Sequence, residues 1–224
     1  SVAPVHLDAV YARRGSYYLV PFEAALAPFV AAWVQDHHAL FWLAPKTPPP
    51  LTPAKMAEWP GPGGCPMLLY HDGFSKPRGY VELNPMPNEN RHLWLGHCLI
   101  HPRWRGTGQG RQMVQLLLEL AFVQRTADSV SLVVFPDNVA AIRCYRATGF
   151  LQVGERSVRI RHRCDVLADV DTDDVDTLAC KPDRMRAALA SASFMAAVNA
   201  AYGSSPAAPF VCHSCSVDVP IPTN

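Results

Sequence analysis

Apolar positions recur every second residue in some stretches of this chain and at helical spacing in others, and the order of the two patterns predicts its elements. Tyr17 to Val20 reads as a strand, and Phe22, Leu26, Phe29, Val30 and Trp33 then repeat at helical spacing. Pro28 falls inside that helix and predicts a kink or a split. A proline cluster (Pro45, Pro48, Pro49, Pro50, Pro53) forces an extended loop, with a short helix expected from Thr52, Pro53 taking its first position. Met67 to His71, a turn at Asp72-Gly73, and Arg78 to Leu83 read as a hairpin, and Leu93 to Ile100 as a further strand ended by Pro102. The clearest helix runs from Gln109 to Val123, with Met113, Leu116, Leu117, Leu120 and Ala121 on one face. Ser129 to Phe135 is a nearly continuous apolar run, as in a strand covered on both faces. Asn138 to Ala147 reads as a short helix closed by Gly149, and Phe150 to Arg161 as one or two more strands. From Asp165 an acidic stretch predicts a solvated loop, and Met185 to Tyr202 an Ala-rich helix. The sum is an α/β chain with a mixed sheet. Its expected organisation is an uncommitted arm over 1–15, one domain over 16–164, and an acidic loop, helix and tail over 165–224.

Composition narrows the class. Of 224 residues, 49% are hydrophobic, too many for a largely disordered chain. No apolar run approaches the ~20 residues of a bilayer span, and the start lacks the order of a signal peptide, so a cytoplasmic protein with no membrane partner is expected. Lys plus Arg (20) against Asp plus Glu (19) gives a formal charge of +1, so no global field recruits nucleic acid. Seven scattered cysteines read as reduced thiols. The lone Cys212-x-x-Cys215 has no second ligand pair, and the Asp169–Asp174 run lacks a calcium loop's turn glycine and closing Glu, so no metal is expected.

The chemistry concentrates between Leu99 and Arg111. A strand ends, a turn with Gly106, Gly108 and Gly110 follows, and an amphipathic helix starts at once. Consecutive N–H groups of such a turn, added to those at the helix start, form an anion-binding concavity. The spacing is neither the dinucleotide pattern nor a P-loop. About 30 residues on comes Asn138-x-x-Ala141-Ile142-x-x-Tyr145-x-x-x-Gly149-Phe150.

With Arg105-x-x-Gly108-x-Gly110, this second segment resembles the two signatures of the GNAT superfamily of acetyl-CoA-dependent N-acyltransferases, over roughly residues 16–160. The resemblance implies a mixed, mainly antiparallel sheet flanked by helices. It also implies transfer of acetyl from acetyl-CoA to a primary amine, on a small molecule or a peptide, by direct attack, in a monomer or homodimer. Backbone at Cys98, Leu99 and Ile100 would hold the thioester and pantetheine, in a gap between the Leu93–Ile100 and Ser129–Phe135 strands. Arg105, Gly106, Thr107, Gly108, Gln109, Gly110 and Arg111 would cradle the pyrophosphate. Asn138 would bond the pantetheine, and Tyr145 would protonate the leaving thiolate.

The base is less regular. The position where many relatives carry Glu is Val133 here, and alternation back from Cys98 meets only Gly96 and Trp94. His97 and His101 fall out of phase; a bulge would be needed to turn His97 inward. Glu82, acting through water, is the other candidate base. A cationic acceptor follows if Glu82, Glu89 or Asp72 faces the cleft. A protein that binds acyl-CoA as a sensor, having lost its base, is the alternative.

Overall fold

The computed structural model describes the backbone of residues 10–160 and 171–191, and the side chains of these except 155–160 and 171–174. Eight strands form one sheet in the order β1-β2-β3-β4-β5-β6-β8-β7. They are β1 (Ala12–Arg14), β2 (Tyr17–Pro21), β3 (Cys65–His71), β4 (Gly79–Pro85), β5 (His92–Ile100), β6 (Ser129–Val134), β7 (Leu151–Ile160) and β8 (Asp171–Cys180). Every neighbouring pair is antiparallel except β5–β6.

Alternation along the strands sorts side chains to two faces. Tyr18, Val20, Leu68, Tyr70, Tyr80 and Leu99 pack under three short helices, α1 (Ala27–Ala31), α2 (His37–Leu43) and α3 (Pro53–Ala57). Leu19, Met67, Leu69, Val81, Leu83, Cys98 and Ile100 join the cluster that holds α4 (Gln109–Glu119) and α5 (Val139–Ala147). Pro28 splits its helix as expected: a 3-10 turn at Ala24–Leu26 precedes α1, where the proline occupies the first turn. Thr52 caps α3, accepting the Lys55 N–H at 3.3 Å. The long helix closes in a wider π turn over Leu120–Gln124.

Two expectations are corrected. Residues 12–14 are a strand rather than part of a loose arm, pinned by Arg13 to Asp72 and Arg14 to Glu119, each at 3.0 Å. Residues 171–180 are not an acidic loop but β8, inserted between β6 and β7. Asp176 faces the Gln152 amide (2.8 Å), and Val175 and Leu178 are buried. Backbone pairing to β7 from Asp171 to Ala179, joined by β6 from Asp176 to Cys180, outweighs the poor strand propensity of aspartate. The sheet therefore runs past residue 164, and helical residues from 182 pack Met185 into the same core. The helix beyond 191 and Cys212-x-x-Cys215 lie outside the described residues. Arg156 and Arg159 lie on edge strand β7.

Cys65, Cys98, Cys144 and Cys180 are thiols. Among the described residues, no helix is long and apolar enough to cross a membrane, and no group of three or more His, Cys, Asp or Glu is placed to hold a metal ion.

Candidate active site

Parallel pairing of β5 with β6 covers only His92–Ser129, Leu93–Val130 and Trp94–Ser131. Beyond Trp94 the strands part, so a gap opens along the last six residues of β5. At its closed end, His92 Nε2 lies 2.7 Å from Ser131 Oγ, and its Nδ1 is held by Glu89. That bridge ties the two strands where their ladder stops.

The open end leads to the glycine turn. His101 accepts the Arg103 N–H at 3.1 Å and caps a 3-10 turn over Pro102–Trp104. Burial, then Arg105, Arg103 and Lys76, lower its pKa, so it remains the neutral acceptor this cap requires. The Arg105 guanidinium donates to the backbone carbonyls of Ile100 (3.0 Å) and Trp33 (2.9 Å), tying the turn to β5 and to the end of α1. Thr107 donates to the Trp104 carbonyl at 2.7 Å. Gly108, at φ +81°, starts α4; an added Cβ would touch nothing, so the left-handed backbone is what selects glycine there. Trp104 is fixed from behind by buried Arg78, whose guanidinium stacks between Phe74 (3.9 Å) and Trp104 (4.0 Å).

Between this turn and α5 runs a groove of about 210 Å³, room for a ligand segment where a water occupies about 30 Å³. Ile100, Trp104, Arg105, Gly106, Gly108, Gly110 and Arg111 line one side, and Ala140, Arg143, Cys144 and Ala147 the other. Arg105 is engaged with backbone carbonyls, and the other two arginines, Arg111 and Arg143, with the exposed amides of the turn, can hold a pyrophosphate. Arg143, Cys144 and Ala147 are absent from the sequence reading. Their spacing from Ala140 (i+3, i+4, i+7) was the available signal. Gln109 is buried beneath the turn, and Thr107 stands at its exposed rim.

Asn138 caps α5, its side chain accepting the Ala141 N–H at 3.2 Å. Tyr145 does not line the groove. It is fully buried on the sheet-facing side of α5, against Phe150 at 5.8 Å between ring centroids.

The bulge that the sequence reading required is present. Gly79 pairs with Ile100 and Tyr80 with Leu99, but Glu82 pairs with Gly96, so His97 and Cys98 together oppose Val81. His97 takes φ +30°. The extra residue resets the alternation: Cys98 and Ile100 pack with α4, while Leu99 joins Tyr80 on the opposite face. Counting by twos from Cys98 therefore fails at the bulge, and His97 turns inward. Its Nδ1 stands 3.1 Å from Glu82 Oε1, an ion-pair distance, while its ring lies flat on Trp59 (4.2 Å, 6°). Gly96 leaves room for this, since a Cβ there would come within 3.2 Å of Glu82 Oε2 and 2.9 Å of Asn84 Nδ2.

Glu82 is completely buried, receiving the Tyr80 hydroxyl at 2.7 Å and the Asn84 amide at 3.0 Å. Burial alone would raise its carboxyl. The His97 charge and the contacts of His97, Tyr80 and Asn84 outweigh that effect and hold it below its ordinary 4.5. Burial and the neighbouring carboxylate push the Tyr80 phenol far up, so it remains a donor. Val133 is buried with no proton-accepting group, and the ionisable pair occupies the neighbouring strands β4 and β5 instead. Of the three carboxylates whose facing the cleft would favour a cationic acceptor, Glu82 is enclosed, Asp72 is bound by Arg13, and Glu89 by His92.

A glycine turn at a helix start, leading into a gap between two parting parallel strands, with Asn138 and Tyr145 on the following helix, is the arrangement implied by the two sequence signatures. Residues 31–150 match the acetyltransferase (GNAT) family. The chain belongs to the GNAT family. It is 32% identical over 95 residues to the spermine/spermidine N(1)-acetyltransferase of Bacillus subtilis strain 168, a match covering 40% of this chain and 61% of that one. The GNAT fold is also shared with solved structures at low identity. Spermidine N-acetyltransferase from Vibrio cholerae, in complex with CoA and spermine, superposes with a TM-score of 0.60 at 14% identity, over 76% of this chain and 98% of its own. Ribosomal-protein-S5-alanine acetyltransferase from Vibrio fischeri does so at 0.56 and 16% identity, over 76% and 96%.

Proposed function

We propose that this GNAT chain transfers the acetyl group of acetyl-CoA to a primary amine by direct attack, with the Glu82–His97 pair receiving the amine's proton. The bulge in β5 carries the reading, because it seats a histidine on a buried carboxylate beside the gap between β5 and β6. A sensor that had lost its base would have no use for such a pair.

Acetyl-CoA supplies an activated thioester. Arg111, Arg143 and the amides of the Gly106–Arg111 turn hold its phosphates, and the parted edge of β5 at Cys98, Leu99 and Ile100 offers backbone groups to the pantetheine and acyl oxygen. An ammonium has no lone pair, so the acceptor first gives a proton to His97, directly or through one water, and Glu82 stabilises the resulting imidazolium. The amine nitrogen then bonds to the carbonyl carbon, and the carbon–sulfur bond breaks. Tyr145 gives its proton to the departing thiolate, and the proton shed by the nitrogen restores the phenol. The acceptor is an amine of small size, as in the relatives named for spermine and spermidine.

The reading is tested by thiol release from acetyl-CoA against a panel of amines. Turnover is expected, and Tyr145→Phe should lower kcat by about 100-fold with the KM for acetyl-CoA little changed. Stabilisation by acetyl-CoA without thiol release from any amine would sink the enzyme reading and leave the sensor. Gly108→Val forces a β-branched residue into a left-handed backbone and puts methyls where the ligand approaches. Acetyl-CoA affinity, read by thermal shift, is expected to fall roughly 10-fold or more. Unchanged affinity would remove the turn from the site.

A further inference from the structure

Arg78, just before β4, is only 4% exposed, yet among the described residues it meets no carboxylate. Its guanidinium lies over the rings of Phe74 and Trp104, 3.9 and 4.0 Å from their centroids. Its Nε is buried without a hydrogen-bond partner, and the Tyr17 hydroxyl is the polar group beside it. Burial lowers its pKa, Tyr17 offsets part of that effect, and Arg103 adds to it. A guanidinium nonetheless stays charged in a protein, and a cation withdrawn from water without a counter-ion is costly to keep. Elsewhere the fold supplies one: Arg13, Arg14 and Arg91 each meet a carboxylate at 2.8–3.0 Å.

Trp104 belongs to two places at once. Its indole carries Arg78, with Arg103 5.1 Å from the same centroid, and it also lines the groove that Arg111 and Arg143 border. Among the described residues, none of these four arginines pairs with a carboxylate. A ring face seats a cation, and an indole screens its field far less than water would. One ring therefore stands between an uncompensated charge and the groove. Phe74, 49% exposed at the hairpin tip, covers the guanidinium from outside, which gives a large apolar side chain in solvent a task.

We infer that Arg78 acts on the cofactor through Trp104: its charge attracts the phosphates of acetyl-CoA, and bound phosphates supply the counter-ion that the fold omits. The inference rests on the reading that this groove takes acetyl-CoA. Arg78→Met removes the charge and keeps an apolar stem between the rings. Its affinity for CoA, by calorimetry, is expected to fall about 5- to 10-fold at low salt, with the gap to wild type narrowing as salt rises. Amide exchange at Trp104 and Arg105, whose N–H groups bond the carbonyls of His101 and Pro102, should keep its wild-type rate in the free protein. A gap indifferent to salt, or faster exchange alongside the loss, would mean that Arg78 only holds the turn in shape, and overturns the charge role. Should Arg78→Met not fold, Phe74→Ala decides instead, because it leaves the cation and the groove wall in place and lets water reach the guanidinium. A fall in CoA affinity of about 2- to 3-fold is then expected. Wild-type affinity in the deciding variant overturns the inference while the cofactor reading stands. Absence of CoA binding by the wild type removes the cofactor reading itself, and the inference with it.

Discussion

Glu82→Gln is expected to lower kcat/KM for the amine about 100-fold or more while leaving the acetyl-CoA thermal shift unchanged. The amide fills the same space and its oxygen can keep the Tyr80 contact, while its NH2 meets the Asn84 side chain only once that amide turns its oxygen round, and it carries no charge to hold an imidazolium on His97. His97→Ala should give a loss of similar size, and the double variant little more, because the two side chains act as one unit. Additive losses would show that Glu82 works apart from His97. The same substitution has a stability consequence whose sign is fixed by the depressed carboxyl. A carboxyl held below its ordinary 4.5 contributes stability that is fully present above that value and is lost as pH falls through the depressed one. Wild type should therefore lose stability below about pH 4.5 more steeply than Glu82→Gln. Parallel acid-melting curves would contradict the pairing.

Gly149→Ala is expected to be the most damaging single-methyl addition. Gly149 follows α5 at φ +104°, and an added Cβ would stand 2.7 Å from the Arg184 carbonyl oxygen and 3.1 Å from the Met185 nitrogen. Backbone cannot swing aside as a side chain can, so relief requires moving the helical segment from residue 182 off the core that Met185 helps to fill. The backbone strain costs about 1–2 kcal/mol and the displaced packing about as much again. At about 2–4 °C per kcal/mol for a chain of this size, Tm should fall by roughly 10 °C. A fall of under about 2 °C would mean that the segment after β8 is not docked as described.

Much of the fold was legible because its signals are local. The hairpin of β3 and β4, the face of α4, the split at Pro28 and the helix starts at Thr52 and Asn138 each depend on a few neighbouring residues. β1 and β8 were not legible. Three residues are too few for a period, and the aspartates of β8 read as loop until β7, with β6 beside it from Asp176, supplies their hydrogen bonds. The same division holds at the site. The glycine turn and the α5 signature announced themselves through spacing, whereas the groove-facing Arg143 and Cys144 needed the opposite wall to give them a role.

By itself the sequence determined the family, the glycine turn at the start of α4 and the absence of a carboxylate at Val133, because residue type at fixed spacing decides these. Only the tertiary structure decided which way His97 faces. One extra residue opposite Val81 reverses the phase of β5, and no periodicity in the strand records which face a bulged residue will take. That choice comes from what surrounds it: the room left at Gly96, the buried Glu82 carboxylate, and the flat face of Trp59, contributed from a loop about 40 residues away in sequence. A buried charge has to be compensated, and here the compensation comes from a residue that alternation alone would have turned away.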